Sequence, residues 1–560
     1  SFPTRRSSDL SALTKGLAAE ASVSFDNIGG MNETTNKEYR YMNSNASITS
    51  DGTLVTTPAI YGTDSETLGH TQPFERLMLR SDFQAKVDYN RTFGKHQVGG
   101  ALIYDMQSVV KNGRNNSQKN QSVLVNATYT YDNRYSLNAV FNRSGSAYLP
   151  DGDKYSNYPA VSAAWIVSNE AFMEKVTPIN LFKIRASYGL SGWDGNLSHE
   201  LWRQSYGSGG AGYNFGVNAG GQSGGSEGDL PVIGLVAEKS QKATFGFDLA
   251  AFDNRLNATV EGFYEKRSDI LVSGANSTSG IIGITVGQVN EGIYKYKGLD
   301  ASLSWNDKIG DFHYGIGASM SYLNTEVVNV NQAYQEYDYL YTKGNRIGQM
   351  YGLEAIGFFN SQQEINNSPQ QTFSDVAPGD VKYKDQNGDN RIDEKDVVKM
   401  FGSSVPRFYF GFNLNFSYKR VELSADFQGM TGVTVSLLNS PLYSPLVSNG
   451  NISNTFLNEE ISWTPENKTN ATMPRLTTQE NLNNYRASSL WYRDGSFLKL
   501  RNLLVAYTFP KSQTRFADLK VFVQGTNLFS LDNLHFADPE QLGIAYPSTR
   551  SYWAGIKLNF

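Results

Sequence analysis

Hydrophobic and polar residues alternate with a period of two from one end of this chain to the other. In "YFGFNLNFSY", residues 409–418, Phe410, Phe412, Leu414, Phe416 and Tyr418 fall on one face. Tyr409, Gly411, Asn413, Asn415 and Ser417 fall on the other. Successive side chains of a strand point to opposite sides, so this segment has one apolar and one polar face. After Lys419-Arg420 the pattern is mirrored, with Val421, Leu423, Ala425 and Phe427 opposed to Glu422, Ser424, Asp426 and Gln428. The same hairpin recurs over 244–261, over 123–141 and over 299–320, turning through "DNR" at 253–255, "DNR" at 132–134 and "NDKIGD" at 306–311.

Such segments add up to about sixteen strands of ~9–11 residues, the length that crosses a bilayer when tilted. Tight turns alternate with long connections near 27–77, 190–240, 324–405 and 430–493. Outer-membrane barrels keep tight turns in the periplasm and long loops outside. The turn at 419–420 is therefore expected in the periplasm, and 324–405 outside the cell.

Composition sharpens the choice between barrel and soluble β-protein. The 560 residues are 39 % hydrophobic, and the mean hydropathy of -0.43 has a soluble look. A barrel strand shows lipid on one side only, which dilutes its apolar signal. No run approaches the ~18 apolar residues of a membrane helix. The 33 Tyr and 31 Phe gather at strand ends, as at Tyr129, Tyr131, Tyr135, Tyr418 and Phe509, where interfacial girdles stand. The polar faces carry Asn, Ser, Thr and Gly with few Lys, which suits a wet lumen. A transmembrane antiparallel β-barrel is thus favoured over a sandwich or a propeller array.

The absence of cysteine excludes a disulfide scaffold, thiolate metal sites and cysteine nucleophiles. A net charge of -5 with no basic patch argues against nucleic acid. The histidines at 70, 96, 199, 313 and 535 lie far apart, and no G-x-S-x-G stretch occurs. No catalytic residue is assigned, and an enzyme is not expected. The opening "SFPTRRSSDL" lacks an initiator Met and an apolar segment, and it resembles translated adapter sequence. Residues 1–10 are set aside as a non-native leader, and 11–560 are read as the barrel.

The chain ends "SYWAGIKLNF", with Tyr552, Ala554, Ile556, Leu558 and Phe560 on one face. Gly555, Leu558 and Phe560 resemble the terminal signal by which barrel-assembly machinery recognises its clients. Trp553 departs from it, since a polar residue is usual there.

Several segments resemble the SusC/RagA family of TonB-dependent outer-membrane transporters of Bacteroidota. They are "YPAVSAAWIVSNEAF" (158–172), "FKIRASYGLSG" (182–192), "EKSQKATFGFDLAAFDNRL" (238–256) and "GQMYGLEAIGFF" (348–359). Further on come "PGDVKYKDQNGDNRID" (378–393), "SFLKLRNLLVAYTFP" (496–510), "VFVQGTNLFSLDN" (521–533) and "DPE" (538–540). The resemblance implies a 22-stranded barrel around a plug, of which this chain would carry the C-terminal sixteen strands, with the plug absent. It also implies import of a nutrient, oligosaccharide first and peptide as the alternative. A SusD-like surface lipoprotein, the TonB complex and the barrel-assembly machinery are the implied partners, in the cell outer membrane. A passive porin and a soluble glycan-degrading protein are the competing readings.

Within the longest loop, "DQNGDNRIDEKD" (385–396) has the spacing of a calcium loop. Ligands at positions 1, 3, 5, 7, 9 and 12 would be Asp385, Asn387, Asp389, the Arg391 carbonyl, Asp393 and Asp396. Asn390 replaces the usual Gly at position 6, and Asp396 replaces Glu at position 12. The alternative is an acidic turn held by Asx hydrogen bonds without an ion. Tyr337, Tyr339 and Tyr341 would share a face of an extended segment and, with Trp193 and Trp202, are candidates for stacking on sugar rings. Packing of these rings within the loops is the competing reading. The Gly-rich stretch 207–228 is read as a flexible extracellular loop.

Overall fold

The computed structural model describes residues 4–31, 33–49, 53–65, 67–71, 74–111, 117–198, 201–214, 221–276, 281, 283–284, 286–439, 461–477, 481–534, 538–541 and 548–559. Its main feature is a 17-stranded sheet. The strands are β1 (Thr4–Asp9), β2 (Leu17–Met31), β3 (Phe74–Phe93), β4 (His96–Lys111), β5 (Ser117–Tyr131) and β6 (Tyr135–Ser146). Next come β7 (Tyr155–Ile166), β8 (Ile179–Trp193), β9 (Glu238–Ala251), β10 (Leu256–Ser273), β11 (Gln288–Ile309) and β12 (Phe312–Asn329). The last are β13 (Phe408–Tyr418), β14 (Val421–Thr431), β15 (Phe497–Phe509), β16 (Asp518–Asp532) and β17 (Ser551–Asn559). Each strand pairs antiparallel with the next in the chain. Among the described residues no pairing joins β17 back to β1.

β1 lies within the stretch set aside as a leader, yet it pairs with β2 from Thr4↔Val23 to Asp9↔Ala18. β1 apart, the sheet has the sixteen strands that the alternation predicts. Most of these strands are longer than the expected ~9–11 residues, with 22 residues in β11 and 20 in β3, while β13, β14 and β17 keep to it. A bilayer needs only part of such a strand. The rest carries the sheet beyond it.

The hairpin register matches the alternation residue for residue. Phe412 stands opposite Phe427, and their rings stack with centroids 4.4 Å apart. On the outer face the apolar side chains have no protein cover. Phe245 is 64 % exposed, Leu303 52 % and Ile316 46 %. A continuous apolar band of this kind belongs in lipid. Aromatic pairs mark its lower edge beside the tight turns, among them Phe252–Trp305, Phe312–Phe416 and Tyr507–Phe509.

A wall with one face to lipid and one to a lumen leaves little room for a core of its own. The largest fully buried apolar side chains are instead Trp491, Tyr383, Phe359, Leu149, Leu235, Leu353, Ile392 and Val381. All of them lie in connections at the end of the sheet opposite the tight turns. The long loops thus fold as packed bodies on the rim.

Candidate functional site

The lumen face between β8 and β14 is polar and largely self-neutralised. Arg185 pairs with Glu261 and, at 3.5 Å, with Asp248, which also takes Lys183 at 3.3 Å. Thr259 donates to Asp248 at 3.1 Å, and the Ser187 and Thr244 hydroxyls meet at 2.8 Å. Farther round the wall, Ser302, Ser319, Ser321, Tyr409 and Gln428 line one concavity. Such a surface offers hydroxyls and amides in rows, and its Lys183 and Arg185 are paired with carboxylates.

Above it, two loops far apart in sequence lock together. Asp380 is fully buried and takes Arg475 through both oxygens, Nε at 2.8 Å and Nη2 at 3.1 Å. Asn481 and Asn484 donate to the same carboxylate at 3.0 and 2.9 Å, and the Ala377 N–H donates at 2.7 Å. Asn483 receives Gln371 at 2.8 Å, while the Tyr383 hydroxyl donates to the Asn483 carbonyl at 2.7 Å. Burial pushes the Tyr383 phenol well above its ordinary range. Every member of this network has partners, which is the condition under which buried polar groups rigidify a structure. Leu353, Val381, Tyr383 and Ile392 pack beside it.

The acidic loop 385–396 hangs from this body. Asp385 accepts from the Gly388 and Asn390 N–H groups at 2.6 and 2.9 Å. Asn387 accepts from Asp389 N–H at 3.0 Å, and Asp389 from Arg391 N–H at 2.8 Å. Asp393 and Asp396 form a reciprocal capping box, and buried Asp396 also takes the Gln386 N–H at 2.7 Å. Asn390 adopts φ 62°, the left-handed backbone that position 6 requires. Hard oxygens in this number suit calcium. Their side chains are, however, spent on backbone N–H groups. Among the described residues no three His, Asp or Glu side chains gather as a metal ion would need.

No family model matches the chain. Curated relatives do. It is 28 % identical over 461 residues to TonB-dependent receptor P26 of Formosa agariphila, covering 77 % of this chain and 45 % of that protein. It is 22 % identical over 465 residues to TonB-dependent receptor SusC of Bacteroides thetaiotaomicron, covering 77 % of this chain and 43 % of SusC. The solved RagAB peptide transporter superposes with a TM-score of 0.73 at 18 % identity, covering 98 % of this chain and 60 % of that one. The chain is similar to the SusC-type TonB-dependent receptors over most of its length. It is an outer-membrane β-barrel chain, and it spans about half the length of the curated relatives it matches.

In this barrel wall's longest loop the tyrosines do not share an extended face. Asp338–Leu340 form a 3-10 turn, which breaks the alternation. Tyr337 and Tyr339 stack on each other at 5.3 Å, and the Tyr339 hydroxyl donates to the Lys395 carbonyl at 2.7 Å. The Tyr341 hydroxyl accepts from the Gln335 N–H at 3.0 Å. The two tryptophans are also separated in role. Trp202 packs against the cluster of Leu149, Leu197, Val232 and Leu235, with Arg203 4.2 Å over its ring. Trp193 ends β8 with its side chain exposed.

At the terminal strand Gly555 stands opposite Phe522, whose ring covers it so closely that a Cβ there would lie 2.5 Å from Phe522 Cζ. Leu558 pairs with Leu519, and Phe560 lies outside the described residues. The sequence reading missed a latch at the lumen mouth. Lys499, only 4 % exposed, reaches Asp538 at 2.5 Å and Glu540 at 2.6 Å, and Arg501 also reaches Glu540. A bulge at Arg501 lets Lys499, Arg501 and Gln428 converge on the lumen side. Burial pushes the Asp538 carboxyl up, but bonds from Lys499 and Ser548 and the Glu540 N–H outweigh it and hold the group well below the usual carboxylate range. A cation interrupting the inward face of a strand in "SFLKLRN" was the available signal.

Proposed function

We propose that this barrel is the wall of an active nutrient importer, with an oligosaccharide as the cargo, a SusD-like lipoprotein as its outer lid and TonB acting through the receptor's plug region. The observation that carries the reading is the lumen face. Rows of Ser, Thr, Tyr and Gln with paired charges suit a neutral polyhydroxylated chain, which exchanges hydrogen bonds with water for hydrogen bonds with the wall. The rim supports the lid. Tyr334 is 85 % exposed, Phe401 57 % and Ile356 52 %, all in the loop between β12 and β13. Exposed apolar side chains on an otherwise packed body suit a partner surface. A structural calcium at Asp385, Asn387, Asp389, the Arg391 carbonyl, Asp393 and Asp396 belongs to the same proposal, ordering the loop without chemistry of its own.

The test is uptake by cells carrying the intact gene or lacking it. The proposal predicts oligosaccharide uptake that stops when TonB is deleted. Uptake of peptides alone would shift the cargo to peptide. Flux that persists without TonB would make the barrel a passive porin.

A further inference from the structure

The outer face of the wall carries a cationic patch that protein carboxylates offset only in part. Along β11, Leu299, Ala301, Leu303 and Trp305 face lipid, and the same parity continues upward to Lys297 and Lys295. Along β10, Ala258, Val260, Gly262 and Tyr264 lead likewise to Lys266. The register sets Lys266 directly opposite Lys295, and Tyr264 opposite Lys297. Like charges directly opposed across a strand pair destabilise it unless something offsets them.

Protein supplies little of that offset. Lys295 has Glu326 at 3.9 Å, and neighbouring Lys239 has Asp269 at 3.0 Å. Lys266 and Lys297 enter no ion pair among the described residues. The lumen side of the same strands behaves differently, since Arg267 is held there by Glu265 at 2.6 Å and Glu238 at 3.6 Å. At this height the inward-facing Arg267 is therefore compensated, whereas the outward-facing lysines carry an excess.

Height supplies the occupant. Trp305 pairs with Leu256 beside the tight turn and its ring lies 5.8 Å from that of Phe252, so it marks the turn-side edge of the apolar band. Lys295 lies ten residues up the same strand, a climb of about 25 Å at ~3.3 Å per residue and ~40° of tilt. That equals the height of the lipid-facing band of such barrels, about 25 Å. Lys266 and Lys295 therefore stand at the outer lipid–water interface, one step above Tyr264 and Lys297, where lipid headgroups carry phosphate.

We propose that Lys266, Lys295 and Lys297 form a binding site for the phosphorylated headgroup of an outer-leaflet glycolipid. The aliphatic stems lie along the apolar wall while the ammonium groups meet the phosphates. The site rests on the outer-membrane placement and not on the identity of the cargo.

The test uses the intact receptor in detergent, with bis-phosphorylated lipid A as the probe and bound lipid counted by native mass spectrometry. The wild type is expected to retain phosphorylated lipid A over the dephosphorylated form. K266Q/K295Q/K297Q is expected to lose roughly fivefold in affinity per lysine while keeping heat-modifiable migration. K266R/K295R/K297R keeps the charge and is expected to bind as the wild type does. Equal binding of the two lipids by the wild type would overturn the site. So would wild-type retention by the glutamine variant, or loss of binding in the arginine variant.

Discussion

Arg475 grips Asp380 with two hydrogen bonds of 2.8 and 3.1 Å, across 95 positions of chain, and Asp380 has no exposed surface at all. The pair fastens the loop after β14 to the loop after β12. Removing the cation leaves a buried carboxylate with only amide partners. Arg475→Ala is therefore expected to cost the rim body about 3–5 kcal/mol. Hydrogen exchange should speed up over 353–392 while the wall strands stay protected. Unchanged protection over 353–392 would remove the clamp.

The latch of Lys499 on Asp538 should be insensitive to mild acid. The folded carboxyl of Asp538 lies below its unfolded value of 3.8, so its contribution is full above that pH and is lost only as pH falls through the folded value. Docking of 538–541 is expected to hold from pH 7 to about pH 4. Lys499→Met should release it across that range, seen as faster hydrogen exchange near Asp538. Release in the wild type between pH 7 and 5 would contradict this sign.

Gly555 leaves space that the Phe522 ring fills. Gly555→Val forces that ring aside, at about 1–3 kcal/mol. The expected result is a smaller fraction of heat-modifiable barrel after assembly. Phe522→Leu in the same chain should restore part of it, and a failure of that rescue would point away from packing.

Calcium is expected to enter 385–396 at ~0.1–1 mM, the range of extracellular modules, by exchanging the Asx bonds of Asp385 and Asp389 for the ion. Calorimetry on the intact barrel should show the uptake, and Asp385→Ala with Asp389→Ala should abolish it. A wild type that takes up no calcium at millimolar levels leaves a turn held by side-chain-to-backbone bonds alone.

The wall was legible because lipid and lumen impose opposite demands on alternate residues. Phe412 and Phe427 could be placed on one face from spacing alone, and the register confirms it. The rim was not legible in this way. Asp380 and Arg475 answer to no period, and their meeting depends on how two loops close. Tyr337, Tyr339 and Tyr341 alternate as a strand would, yet a 3-10 turn at Asp338–Leu340 turns them toward each other and toward Lys395. "DPE" stood out only as a match, and its role depends on Lys499 at the lumen mouth, far from it in sequence. Short-range pattern reports which side a residue faces, whereas a loop site depends on partners a hundred positions away.

The barrel is expected to stand in the outer membrane with its long loops outside and its tight turns in the periplasm. No cysteine lies among these 560 residues, so single cysteines placed in them stand out from the rest of the chain. Gln363 is exposed in the loop after β12, and Asp311 is exposed in the turn between β11 and β12. The measurement is labelling of Gln363→Cys and Asp311→Cys by a membrane-impermeant maleimide on whole cells expressing the intact receptor. Gln363→Cys is expected to react on intact cells and Asp311→Cys only after the outer membrane is permeabilised. Labelling of Asp311→Cys on intact cells with Gln363→Cys protected would contradict it.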